Sequence, residues 1–405
     1  MNMENARLAA QWLFIGTVMT LLLLGAEAIP GKAGKIVKLT YLEEAVAKGA
    51  VCLDGSPPAY HFSEGFDAGV NNWLVFFEGG AWCNNATNCL LRRDTALGSS
   101  KHMVKEKAFS GIFSNMQELN PDFYNWNRIR VKYCDGSSYT GDVEAVDPKT
   151  NLHYRGARIF QAIIDNFLSK GMKNAENAIL AGCSAGGLAT ILHCDRFRQL
   201  VPAKTKVKCF ADAGYFINAK TVSGTSYIEE FYSQLVETHE SAKNLPSSCT
   251  SKMKPGLCFF PENVIPGLKT PIFILNAAYD SWQVKNILAP GIGDPEKVLS
   301  ECKLNIEKCS PDQLKILHDY RNQFVDKVNV VSSSNSANGM FIDGCYSHCQ
   351  AGTTATWIEK GSPVLKDTSI AKAFGDWYFE RKPFKEIDCA YPCNPTCHNR
   401  AFDTS

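Results

Sequence analysis

The 405-residue chain carries 42 Lys and Arg against 41 Asp and Glu, a formal charge of +1. That balance argues against a nucleic-acid binder, which needs a basic surplus, and says nothing definite about an anionic substrate. The length suits one large α/β domain.

The chain opens with a weakly basic stretch, residues 1–10, then an apolar run Trp12–Leu24, then Ala26-Glu27-Ala28. This is the layout of a secretory signal peptide, so residues 1–28 are read as a cleaved leader and 29–405 as the mature domain. The 13-residue run is short of the ~20 that span a bilayer, and no later segment predicts a membrane helix. All 16 cysteines follow the leader and read first as disulfides of a secreted protein. Several lie close together: Cys83 with Cys89, Cys302 with Cys309, Cys345 with Cys349, and Cys389, Cys393 and Cys397 near the end. Connectivity does not follow from spacing. Asn85-Ala86-Thr87 is the one usable N-glycosylation sequon, since proline spoils Asn394-Pro395-Thr396.

From Lys35 to Phe62, β-type segments at Ile36–Tyr41, Ala50–Leu53 and Ala59–Phe62 surround the turn cluster Asp54-Gly55-Ser56-Pro57-Pro58. They predict the antiparallel edge of a sheet. Asn72–Phe77 is a continuous apolar run fit for a central strand, and it ends in Glu78-Gly79-Gly80-Ala81-Trp82-Cys83. Residues 84–126 read as an insertion over the sheet top. Arg128–Tyr133 predicts the next strand and Gly156–Leu168 a helix.

Next comes an apolar run at Asn177–Ala181, then Gly182-Cys183-Ser184-Ala185-Gly186, then a helical run through Leu192. Gly-x-Ser-x-Gly between a strand and a helix is the nucleophile elbow, which holds a serine Oγ at the end of a sheet. The bland alternative makes Ser184 a helix N-cap. The turn is cramped and usually buried, so Cys183 is the candidate to stay unpaired, which would leave a second cysteine free.

Further strands are predicted at Val207–Ala211, Pro271–Leu275 and, as the short last one, Gly339–Ile342. Helices are predicted at Ser226–Glu240, Asp312–Val328 and Ile370–Glu380. Alternating strands and helices argue a mostly parallel sheet with helices on both faces, in a single α/β domain of hydrolase-like order. Its active site belongs at the carboxyl ends of the strands.

A serine needs a base to attack at neutral pH, and the base needs a carboxylate to orient it. On such a fold the order along the chain is Ser, then Asp or Glu, then His. Ser184, Asp280 and His348 meet that order, the last two each following a predicted strand. Asp212 is the rival acid. His61, His102 and His153 precede the serine; His193 falls on the far side of the elbow helix; His239, His318 and His398 lie in helical or Cys-rich contexts. The oxyanion amides are assigned to Ala185 and to Gly80 and Ala81 of the Gly79-Gly80-Ala81 turn. Trp82 and Trp282 flank the site in sequence, as acyl-pocket walls or as plain packing. Cys345, His348 and Cys349, and the Cys389, Cys393, Cys397 group, lack a clean zinc spacing, so no metal is predicted. No nucleotide motif occurs and no cofactor is called for.

With these residues laid out, the chain resembles the plant pectin acetylesterases over nearly the whole mature sequence. The resemblance runs through Cys52–Tyr60, Glu78–Cys83, Gly182–Gly187, Asn276–Gln283 and Cys345–Gln350. It implies an α/β-hydrolase-like fold and a secreted cell-wall enzyme that removes acetyl esters from pectin, with Ser184, Asp280 and His348 as the triad. The animal Notum carboxylesterases are similar in the same motifs. They carry Trp directly after the Gly-Gly pair, where this chain has Ala81 and then Trp82, so lipid-type acyl specificity is not carried over. Two other classes stay open: a carboxylesterase for another acyl ester, small or lipid-type, and a non-catalytic polysaccharide-binding relative.

Overall fold

A computed structural model describes residues 34–399; the predicted leader, 1–28, lies outside them. Among the described residues twelve strands occur in chain order: β1 (Ile36–Tyr41), β2 (Ala59–Ser63), β3 (Asn72–Phe77), β4 (Glu106–Ala108), β5 (Asn127–Val131), β6 (Asn177–Cys183), β7 (Lys206–Asp212), β8 (Ile272–Ala277), β9 (Gly339–Asp343), β10 (Val364–Leu365), β11 (Thr368–Ser369) and β12 (Lys385–Ile387). Ten of them form one sheet in the order β12-β9-β8-β7-β6-β3-β5-β2-β1-β4. From β12 to β5 every neighbouring pair is parallel. Beyond β5 the pairs turn antiparallel, as the sequence predicts for this edge.

Strand composition explains why the sheet is covered twice. Along β3, Trp73, Val75 and Phe77 enter one apolar cluster, while Leu74 and Phe76 enter the other. The same alternation runs through Ile272–Leu275 of β8, as a period of two requires. The first face is covered by α2 (Gly156–Ser169), α3 (Ala185–Leu200), α4 (Tyr227–Thr238) and α5 (Pro311–Val328); α1 (Ala86–Arg93) lies in the insertion. The second face is covered by α6 (Ile370–Tyr378), whose Phe374 stacks on Phe210 with ring centres 4.2 Å apart. Among the described residues no helix is long and apolar enough to cross a membrane.

Three expectations need correction. Ala50–Leu53 is not a strand: the Cys52 amide donates to Ser56 O and its carbonyl accepts from Gly55 N, so the backbone is used in a turn. Gly339–Asp343 is not the last strand, because Lys385–Ile387 adds alongside it in parallel. The 84–126 insertion also contributes β4, which pairs with β1 at the far edge.

The site's place follows from topology. After β3 the chain moves to β5 on one side, then returns to β6 on the other and continues outward through β7, β8 and β9. The chain therefore leaves β3 and β6 in opposite directions across the sheet, the switch point at whose carboxyl ends a site is expected on such a fold.

Candidate active site

Ser184 sits at that switch point, at the junction of β6 and α3, with φ 58° and ψ −127°. A non-glycine residue there is strained and is held only by its surroundings. The hold is backbone: the Ser184 amide donates to Asp212 O at 3.0 Å, and its carbonyl accepts from Leu188 N at 2.9 Å. Its side chain makes no capping hydrogen bond, which removes the N-cap alternative.

Small residues let the two loops meet. A Cβ on Gly79 would lie 2.5 Å from the Ser184 Cβ and 2.9 Å from the Ala185 nitrogen, and one on Gly186 would run into the Phe77 carbonyl. The turn after β3 is thus pressed against the serine. Ala81 follows at φ 54°, a second strained residue. Ala185 opens α3, so its amide has no partner within the helix. In the loops of the described residues, the Gly80 and Ala81 amides have no backbone acceptor.

Asp280 and His348 come together. His348 Nδ1 lies 2.8 Å from Asp280 Oδ2 and 3.0 Å from Oδ1, and both side chains are buried. Asp280 Oδ1 also accepts from the Trp282 and Gln283 amides at 3.0 and 2.9 Å. The carboxylate is therefore fixed before it meets the imidazole. The His348 ring stacks on Trp282, with centres 6.3 Å apart and planes at 28°.

Serine and histidine segments are joined covalently. Cys183, just before the serine, is bonded to Cys349, just after the histidine, across 166 residues of sequence. A ring nitrogen of His348 lies within 4.8 Å of the Cys183 sulfur. The expectation that Cys183 stays unpaired is overturned: the cramped elbow faces another loop, and the sulfur finds its partner there. No cysteine is free. Cys83–Cys89 and Cys302–Cys309 pair as their spacing suggests, while Cys345 pairs with Cys397 and Cys389 with Cys393.

Asp212, the rival acid, is engaged elsewhere. Its carboxylate accepts from the Gln350 amide at 2.8 Å and the Ala351 amide at 2.8 Å, anchoring the loop that carries His348. Burial pushes its pKa up to about 7, against the lowering effect of those amides. Sequence reasoning missed this role; the position of Asp212 at a strand end was the available signal. His193 stacks on Phe160 at 4.3 Å, and burial pushes its pKa down to about 3, which fits a packing role.

Trp82 and Trp282 are both buried and in contact, with ring centres 5.5 Å apart. Phe216 touches each of them. The Trp82 indole N–H donates to Ser138 Oγ at 2.7 Å, and that hydroxyl donates to Ala185 O at 2.7 Å. Ser138, unremarked in the sequence, ties the aromatic wall to the first residue of the elbow helix. Asn85 is exposed and caps α1, accepting from Asn88 N through Oδ1 at 2.9 Å.

The model of a family described as pectinacetylesterase matches residues 31–398. Pectin acetylesterase 11 and pectin acetylesterase 7 of Arabidopsis thaliana are each 54% identical over 381 residues, covering 94% of this chain and 95% of the relative. Palmitoleoyl-protein carboxylesterase notum2 of Xenopus laevis is 26% identical over 394 residues, covering 90% of this chain and 75% of that protein.

Proposed function

The chain belongs to the pectinacetylesterase family, and from that premise we propose that it hydrolyses acetyl esters of pectin through an acetyl-enzyme on Ser184. The observation that carries the reading is the Asp280–His348 pair tied by a disulfide to the elbow of a strained, uncapped serine.

In this mechanism Ser184 Oγ attacks the acetyl carbonyl while His348 takes its proton, and Asp280 orients and stabilises the imidazolium. The amides of Gly80, Ala81 and Ala185 receive the oxyanion, one good donor being worth about 3 kcal/mol. Collapse breaks the ester C–O bond, and the sugar oxygen leaves with the proton from His348. Water, deprotonated by His348, then attacks the acetyl-enzyme; acetate departs and Ser184 recovers its proton.

The aromatic wall supports a short acyl group. Trp82, Phe216 and Trp282 interlock beside His348 as a bulky wall, which would leave little room for a long acyl chain. On aryl esters, kcat/KM is expected to fall at least about tenfold from acetate to butyrate, since extra methylenes against a filled pocket cost that much. Butyrate or longer esters cleaved as well as acetate would favour the carboxylesterase alternative. Acetate release from acetylated pectin by the native protein tests the substrate. Cleavage of aryl acetates without release from pectin would keep the chemistry and move the substrate.

Asp212→Ala separates the two acids. It orphans the Gln350 and Ala351 amides, at about 1–3 kcal/mol each, so lower thermal stability and a loss of kcat of about tenfold are expected. A loss as large as that of an Asp280 variant would transfer the acid's role to Asp212.

The reading includes a leader cleaved after Ala28 and export to the cell wall. Eight disulfides support an oxidising compartment. It also includes a glycan on exposed Asn85, whose Oδ1 caps the helix and whose Nδ2 donates one hydrogen to Asn84 Oδ1 at 3.4 Å, leaving the other to be replaced by the sugar.

A further inference from the structure

One face of the sheet carries a charge surplus that the ester chemistry does not use. Arg128, Arg130 and Lys132 alternate along β5 and its extension, and so project to the same side. Arg128 is buried and donates only to neutral oxygens: Trp126 O, Phe113 O and Ser63 Oγ. Arg130 and Lys132 share a single carboxylate, Glu78. Lys107, exposed on β4, has no ion pair among the described residues, and its pKa is lowered chiefly by the Arg130 charge. Burial would raise the pKa of Glu78, but Arg130 and Lys132 outweigh it and hold the carboxylate down to about 2. Glu78 thus stays ionised and still leaves the group with excess positive charge.

This group adjoins the reaction centre. Glu78 directly precedes Gly79, the residue pressed against Ser184. From there the cations run outward from Lys132, just past the end of β5, to Lys107 on β4, which pairs with Val37 of β1, and Arg130 and Lys132 each keep about a fifth of the side chain exposed, 19% and 17%. A purely structural partner for one glutamate needs one cation, and Glu78 has two, with Lys107, unpaired among the described residues, nearby.

The geometry points to a subsite, built from Lys107, Arg130 and Lys132, that holds the free carboxylates of a polyuronate chain while one acetylated residue lies at Ser184. The inference rests on the pectin reading and deepens it: the preferred substrate is acetylated pectin whose uronates are not methyl-esterified. Methylation removes the anion that the cations attract. Because Lys107 is exposed to water, its contribution is sensitive to salt.

The test compares acetylated pectin in de-methylated and fully methylated forms, at ionic strengths from about 0.01 to about 1 M, which shortens the Debye length from about 30 to about 3 Å. The native protein is expected to prefer the anionic polymer at low salt, mainly through KM, and to lose that preference at high salt. Lys107→Gln is expected to reduce the preference by about two- to fivefold and Lys107→Glu by more, the range for one exposed charge. Lys107 is exposed, so its variants keep the fold. Equal use of both polymers at low salt, or variants that change both alike, would overturn the subsite. Binding of labelled, acetate-free oligogalacturonate is measured in parallel. If no acetate is released from either polymer while that binding is present and weakened by Lys107→Glu, the subsite stands and the esterase reading fails.

Discussion

Ser184→Ala is expected to lower kcat on acetyl esters by about 10⁴- to 10⁶-fold, with the protein as stable as the parent. Stability should hold because Oγ caps nothing in the fold. Alanine keeps the Cβ, so the strain at φ 58° is the same before and after. Elbow contacts run through the backbone, to Asp212 O and Leu188 N, and survive the change. What remains should be a small rate from the oxyanion amides and from binding alone. Labelling by a fluorophosphonate probe should vanish with the activity. A variant that keeps more than about a hundredth of the parent rate would place the nucleophile elsewhere, since no oxyanion hole alone leaves so much. Lost activity with a lowered melting temperature would instead make the hydroxyl structural.

The proposed triad is legible in the sequence because each of its residues follows a strand. Ser184, Asp280 and His348 close β6, β8 and β9, or lie a few residues beyond, and strand-forming runs are the clearest local signal a chain carries. β3 was bounded correctly to the residue, since every position after Asn72 is apolar. What local pattern cannot show is pairing across long separations. The Cys183–Cys349 bond joins residues 166 apart, and local crowding at the elbow argued the opposite. Asp212 carried the same sequence signature as Asp280, a carboxylate after a buried strand. Only the fold shows that one faces amides and the other an imidazole. β4 and β12 are three-residue strands, too short for periodicity to register, and each is held by a neighbour rather than by its own composition.

Asp280→Asn is expected to lower kcat by about 10⁴-fold near neutral pH, with KM little changed. The cause lies in how the carboxylate is already occupied. Oδ1 accepts from the Trp282 and Gln283 amides, so an asparagine must turn its carbonyl oxygen to those donors. Its NH₂ then replaces Oδ2 and faces His348 Nδ1, now 2.8 Å from that oxygen. A donor there can be met only by an imidazole that accepts at Nδ1 and carries its proton on Nε2. That tautomer cannot take the serine proton. Binding is left intact because packing is unchanged: the ring still stacks on Trp282, and the Cys183–Cys349 bond still holds its loop to the elbow. Nitrogen NMR of the imidazole checks the tautomer directly, and steady-state kinetics on an aryl acetate checks the rate. A tenfold loss or less, with the proton still on Nδ1, would mean that Asp280 only shapes the turn at Ser281–Gln283 and that His348 works without it. The disulfide then becomes the principal constraint on the imidazole, and breaking it should cost more than the loss of the carboxylate.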